Sequence, residues 1–206
     1  MAQLPNAMIV NALVRQALVA AQEVMGEHGL NTVLRTSGLA RYVGNLPPDN
    51  LEPAISTSDY ARLNEAIESF YGRGGRGMLR RIGKASFLYA TREQAALLGL
   101  AGVALKLLPT KQRIKFILGQ MVGALKKTNP QVDAWVEDSE GRLAYIERTC
   151  AICYGRQSVQ PVCYLYIGSI SEAVRWATGM DYEVRETHCI AKGDEYCRFE
   201  IGEPIV

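Results

Sequence analysis

The sequence predicts an α+β protein in which helices come first and strands follow. Apolar residues recur at about 3.6-residue spacing through the first part of the chain, which is the period of an amphipathic helix. After Pro130 the pattern becomes strand-like, with turn residues between the runs. Hydrophobic residues make up 48% of 206 positions, enough for a sizeable core. In order, Met8, Ile9, Leu13, Ala17, Leu18, Ala21 and Met25 fall on one face of a helix over residues 6–27. Residues 31–55 hold Gly38, Gly44 and Pro47-Pro48, which predicts a short helix between loops. Ser58 is placed to cap a helix running to Tyr71, with Leu63, Ala66, Ile67 and Phe70 inward. Helical stretches follow over 77–108, with a break expected near Thr91 or Gly99, and over 111–128, separated by Pro109. Strands are predicted over 132–138 and 142–149 around a turn at Ser139-Glu140-Gly141. A helix from Cys163 through Trp176 ends at Gly179, and a hairpin over 182–191 and 196–201 closes the chain.

Charge excludes some functions. Lys and Arg number 23 and Asp and Glu 21, a formal net charge of +2, so the chain is not an obvious binder of nucleic acid or anionic membrane. The N-terminal apolar run has no basic residues ahead of it and is interrupted by Arg15, Gln16 and Glu23, unlike a signal peptide or membrane span. The longest apolar stretch, residues 95–108, is too short for a bilayer and contains Lys106. A cytoplasmic globular protein is the expectation.

The candidate chemistry lies near the C-terminus. Cys163, Glu186, Cys189 and Cys197 have the donor types of one metal site. Lys192-Gly193-Asp194 supplies turn chemistry midway between Cys189 and Cys197, and a hairpin centred there sets the two thiols opposite each other. Glu186 stands three residues before Cys189, so a straight strand would aim them at opposite faces; both can be ligands only if a bulge intervenes. Three thiolates and a carboxylate form a closed tetrahedral shell that zinc tolerates best. Arg185, Lys192 and Arg198 are near enough in sequence to offset its negative charge. On spacing alone, ordinary buried cysteines remain the alternative. Five cysteines, an odd number, disfavour a disulfide framework.

Other motifs carry less. Gly72-Arg-Gly74-Gly75-Arg-Gly77 fits the dinucleotide fingerprint, with Glu93 downstream, but the preceding residues read as a helix rather than the strand that fingerprint needs. Arg73, Arg76, Arg80, Arg81 and Lys84 around it read as a solvated face that is also able to receive carboxylates. Cys150-Ala-Ile-Cys153 reads as a pair of buried or pocket-lining thiols, since a second closed metal site lacks ligands once the first is filled; a redox or cofactor-contact role is the alternative. His28 and His188 are too few for acid–base machinery, and His188 is expected to face away from the metal. No catalytic constellation is evident.

The stretch from Cys163 to Ile201, Cys-x22-Glu-x2-Cys-x7-Cys followed by Arg-Phe-Glu-Ile, resembles the 4-vinyl reductase domain family, and the likeness extends more weakly over the last two-thirds of the chain. That family includes stand-alone proteins linked to bacteriochlorophyll synthesis and the sensor domains of phenol-responsive transcription activators. In the sensor branch the positions matched by Cys163, Glu186, Cys189 and Cys197 bind zinc, so the resemblance implies a structural zinc with no site for water or substrate. It also implies an antiparallel sheet flanked by helices, similar to the TRAPP-subunit and haem nitric-oxide sensor folds, with a cavity for an apolar molecule. Phe87, Leu88, Tyr89, Phe116, Ile117, Met121, Trp135, Tyr164, Tyr166 and Trp176 are the candidate lining, with ordinary core as the alternative.

Residues 1–55 are then a helical extension suited to homodimerisation, because Ile9, Val10, Leu13, Val14 and Val19 do not fit one narrow stripe. Residues 56–206 are the ligand-binding domain. The expected function is a zinc-stabilised binding protein for a hydrophobic or tetrapyrrole-like molecule, without direct nucleic-acid contact. The sensors' phenol-contacting histidine has no evident counterpart, and the activators' ATPase and DNA-binding domains are not among these residues. The rivals are a 4-vinyl reductase acting on a chlorophyllide precursor, which needs a hydride donor site, and a dimeric scaffold.

Overall fold

The computed structural model describes residues 6–96, 105–139 and 141–205. Among them are five α-helices and six strands. β1 (Met8–Val10) pairs antiparallel with β2 (Pro53–Ser56), and α1 (Asn11–Thr36) follows β1 directly. The helix expected over 6–27 is therefore corrected at both ends. Met8 and Ile9 belong to a strand, and the helix runs on past Gly26, where a φ of 74° kinks it. Short apolar triplets do not distinguish strand from helix, and β1 is decided by a partner more than forty residues away. Val10 offers no side-chain cap, so the first free N–H groups of α1 are met by the loop before β2: Asn11 N–H donates to the Glu52 carbonyl and Ala12 N–H to the Asn50 carbonyl.

Between residues 31 and 55 the short helix is a single turn, Ala40–Tyr42. α2 (Thr57–Phe70) is capped by Ser56 rather than Ser58: the Ser56 hydroxyl accepts from Asp59 N–H, and Asp59 accepts from Ser56 N–H. Leu63 and Ile67 face the core, but Phe70 sits at the frayed end of α2, 45% exposed and edge-on to Tyr71. The glycine loop joins α2 to α3 (Gly75–Glu93) as a tight helical turn, with no strand feeding it. A Cβ on Gly75 would lie 2.0 Å from the Glu68 carbonyl oxygen, so this glycine lets two helices meet. The rest of the expected 77–108 stretch falls largely outside the described residues. α4 (Thr110–Thr128) starts after Pro109.

β3 (Ala134–Ser139), β4 (Arg142–Glu147), β5 (Tyr182–His188) and β6 (Cys197–Pro204) form one antiparallel sheet in the order β3-β4-β6-β5. α5 (Tyr164–Thr178) ends at Gly179, whose φ of 80° fits a glycine stop. Tyr145 on β4 lies directly opposite Phe199 on β6, and both rings meet Tyr166 of α5 at 5.9 and 5.6 Å. That aromatic cluster fastens α5 to the sheet. α3 and α5 cross where Gly83 faces the Leu165 carbonyl and Gly168 faces the Arg80 carbonyl, each at a distance that leaves no room for a methyl group. Val14 and Leu18 of α1 share one buried cluster with Cys163 and Phe199. No helix among the described residues is long and apolar enough to cross a membrane.

Candidate functional site

The sheet edge creates the cysteine cluster. β5 and β6 lose register between Glu186 and His188, so the bulge that both ligands require is present. Glu186 and Cys189 both reach the buried side, while His188 stacks against Tyr196 at 5.4 Å on the other. A tight turn at Ile190–Lys192, closed by Gly193 at φ 98°, returns the chain to Cys197. Cys163 sits at the start of α5, its N–H donating to Glu186 Oε2 at 2.9 Å. The ligand atoms of Cys163, Glu186, Cys189 and Cys197 all lie within 4.8 Å of one another. Cys163 Sγ is 4.0 Å from Cys189 Sγ and 3.9 Å from Cys197 Sγ. Four ligands at zinc–sulfur bonds of about 2.3 Å define a tetrahedron with edges of about 3.8 Å, so the sulfurs already stand nearly where an ion needs them.

Glu186 carries a second mark. Its Oε1 is buried without a hydrogen-bond partner. Burial first, then the Cys189 thiol, pushes its carboxyl up to about 9. A buried carboxylate oxygen facing thiols lacks a cation, and a metal supplies one. The three basic residues expected to offset the cluster are used elsewhere: Arg185 pairs with Glu183, Lys192 with Asp194, and Arg198 with Glu137 and Glu200. Asp194 accepts from Cys189 N–H at 2.7 Å and Ile190 N–H points at Cys197 Sγ at 3.5 Å, so backbone and side chain hold the ligand loop. Cys150 and Cys153 are buried, as expected, but they join this cluster instead of lining a separate pocket. Cys150 Sγ is 3.5 Å from Cys163 Sγ and Cys153 Sγ is 3.4 Å from Cys197 Sγ.

A cavity of about 150 Å³ lies between the helices and the inner face of the sheet. Phe87, Met121, Leu165, Tyr166 and Tyr145 contribute its apolar wall. Of the residues picked out from sequence, Phe87, Met121 and Tyr166 line it. The others stand apart. Trp176 is 41% exposed and edge-on to Phe87; Trp135 lies on the outer sheet face beneath the Arg148 guanidinium; Tyr164 lies under Arg76 and Arg80; the Tyr89 hydroxyl accepts from Arg15; Phe116 packs in a second cluster around Ile117. What sequence missed is polar. Ser86 Oγ and Gln94 Oε1, both on residues lining the cavity, are buried without partners. No sequence signal marks them, because their role depends on which neighbours fail to reach them.

Glu147, also lining the cavity, is 2% exposed and accepts from the Tyr145 hydroxyl at 3.2 Å. Burial raises its carboxyl to about 7 against the opposing hydrogen bonds of Tyr166 and Tyr145. The folded protein thus keeps a proton that the unfolded chain loses from about pH 4 upward. Stability from this group is full below that pH and declines as pH rises to about 7, by on the order of 3 kcal/mol. Glu147→Gln should remove that slope. Urea midpoints measured across this window for both proteins check it: the difference between them should grow with pH in favour of the variant.

These features place the chain among α/β domains that set a cavity beside a thiol-bearing antiparallel sheet. Residues 146–203 match the family model of the V-4-R domain, the 4-vinyl reductase type, so this part of the chain, with all five cysteines and Glu186, carries such a domain. Over 48 residues the chain is 40% identical to the phenol regulator MopR of Acinetobacter guillouiae; the matched stretch is 23% of this chain and 8% of that regulator. In fold the chain is similar to the Fe(II) unliganded H-NOX protein from K. algicida, with a TM-score of 0.60 at 11% identity, covering 96% of this chain and 97% of that one. An H-NOX protein from S. oneidensis in the Fe(II)NO ligation state gives 0.54 at 13% identity, covering 93% and 99%. The sensor-type fold expected from sequence is the one observed.

Proposed function

We propose that this protein is a small-molecule-binding module whose cavity takes a compact apolar molecule with a hydrogen-bonding group, and whose fold is held by zinc at Cys163, Glu186, Cys189 and Cys197. The observation that carries the reading is the cavity itself, with apolar walls and unpartnered buried Ser86 Oγ and Gln94 Oε1. Leaving such atoms buried and unpaired costs about 1–3 kcal/mol each, a cost that a ligand's hydroxyl or amine relieves. A volume of about 150 Å³ is the size of an engineered apolar cavity that accepts benzene. It favours a single ring over a tetrapyrrole. The phenol regulator's name agrees with a ring-sized ligand. The zinc is structural here, because four protein ligands fill its shell. A reducing compartment such as the cytoplasm suits five free thiols.

Thermal melts with benzyl alcohol, aniline, toluene, protoporphyrin and NADPH test the reading. The first two should raise the melting temperature by mass action, more than toluene does, and the gain should shrink about tenfold in affinity when Ser86 and Gln94 are both changed to Ala. Stabilisation by protoporphyrin alone would defeat the single-ring assignment. Gly74→Ala adds a methyl that meets nothing closer than 3.9 Å, so it should leave binding unchanged. Vinyl reduction with NADPH that Gly74→Ala abolishes would make the protein a reductase. Dimerisation through residues 1–27 has less support, since Val10, Val14, Ala17 and Leu18 are buried within the chain itself; light scattering before and after their deletion tests it.

A further inference from the structure

We propose that the cluster is a two-metal centre in which Cys163 and Cys197 bridge two zinc ions. One ion is held by Glu186 and Cys189 and the other by Cys150 and Cys153. The inference rests on the four-ligand zinc reading and adds a second site to it.

Two sets of ligand atoms satisfy the same geometric requirement. Cys163, Glu186, Cys189 and Cys197 form one, and Cys150, Cys153, Cys163 and Cys197 form the other, each within 4.8 Å throughout. They share the two sulfurs that stand 3.9 Å apart and differ in the remaining pair. Two tetrahedra that share an edge need six ligands, four terminal and two bridging, and six are present. The second set is compact: its sulfurs lie 3.5 Å (Cys150–Cys163) and 3.4 Å (Cys153–Cys197) apart, inside the roughly 3.8 Å edge of a zinc–thiolate tetrahedron. Cys-x-x-Cys is also the usual spacing by which one chain segment grips one zinc. Spacing alone leaves this pair without partners, because sharing of sulfurs is invisible in a linear sequence.

Packing agrees. Cys150 and Cys153 are fully buried. The loop that carries them is tied down at both sides: Arg156 bonds Glu68 on α2 at 2.8 Å, and Ser158 N–H donates to the Ala191 carbonyl in the ligand turn. Binding of the second ion displaces the two thiol protons of Cys150 and Cys153 and involves no change of oxidation state. Five thiolates and one carboxylate then face two dications, so the excess charge is no larger than with one ion and four ligands.

Metal content of protein purified anaerobically with reductant and added zinc, read by elemental analysis and native mass spectrometry, is the test. Two zinc ions per chain are expected. One should remain in the Cys150→Ser/Cys153→Ser double variant, and one in the Glu186→Ala/Cys189→Ser double variant. Zinc-edge X-ray absorption of the unmodified protein, which needs no variant to fold, should show a zinc–zinc distance of roughly 3 Å, set by two shared sulfurs at about 2.3 Å bonds. One zinc per chain, unchanged by loss of Cys150 and Cys153, overturns the two-metal centre and leaves the four-ligand site standing. A second zinc insensitive to those cysteines, or iron with inorganic sulfide, also overturns it. No metal at all overturns both readings.

Discussion

Cys163→Ser is expected to strip the protein of zinc and leave it unfolded at room temperature. Cys163 belongs to both ligand sets and has three other thiols within 4.0 Å of its sulfur. It also links α5 to β5 through its N–H bond to Glu186. Structural zinc sites contribute about 10–16 kcal/mol of binding free energy, against about 5–15 kcal/mol for the net stability of a whole domain. Loss of the ion therefore outweighs what the remaining core supplies, and it leaves a buried carboxylate among thiols. A chelator strong enough to remove zinc from the unmodified protein should reproduce the effect. Circular dichroism melts alongside elemental analysis check it; a metal-free variant with an unchanged cooperative transition would show that the cluster does not hold the fold.

Gly168→Ala should be the most damaging single methyl group in the molecule. Its Cβ would fall 2.0 Å from the Arg80 carbonyl oxygen, and the reciprocal change at Gly83 would fall 2.0 Å from the Leu165 carbonyl oxygen. Neither obstacle is a movable side-chain tip; both are helix backbone. α3 and α5 must separate, disturbing the Ser169 hydroxyl bond to the Gly83 carbonyl and the cavity wall at Leu165 and Ser169. Overpacking of this kind costs about 3 kcal/mol, a fall in melting temperature of roughly 10 °C for a chain of this size. Gly77→Ala is the internal control: it sits in α3, and its added methyl would meet nothing within 4 Å. Equal melting temperatures for Gly168→Ala and Gly77→Ala would refute the close-crossing argument.

Much of the closing hairpin is legible from residues alone. Glu186 and Cys189 stand three apart, and a period of two cannot face both inward, so their spacing demands the bulge found between Glu186 and His188. Lys192-Gly193-Asp194 marks the turn, and Gly179 marks the end of α5. What sequence hides depends on long-range partners. β1 is three residues whose pairing is fixed by Pro53–Ser56. Trp135, Tyr164 and Trp176 have the character of cavity residues, yet the direction of a side chain is decided by which helix lies over which sheet face. Ser86 and Gln94 stand out only because nothing around them answers their polar atoms. Cys150 and Cys153 are buried as their sequence suggests, yet they adjoin the cluster that linear spacing sets them apart from. Spacing counts eight separate ligands for two metal sites, and shared sulfurs lower that number.

The central claim is that a ring-sized ligand and a metal cluster occupy adjacent parts of one α/β fold. Anomalous diffraction from crystals soaked in bromobenzyl alcohol, collected at the bromine and zinc edges, tests both halves at once. The account predicts a bromine peak between Phe87, Met121 and Tyr166, and a zinc peak beside Cys163 and Cys197. A cavity with no bromine while bromine sits elsewhere on the protein, or thiols with no zinc signal, would contradict it.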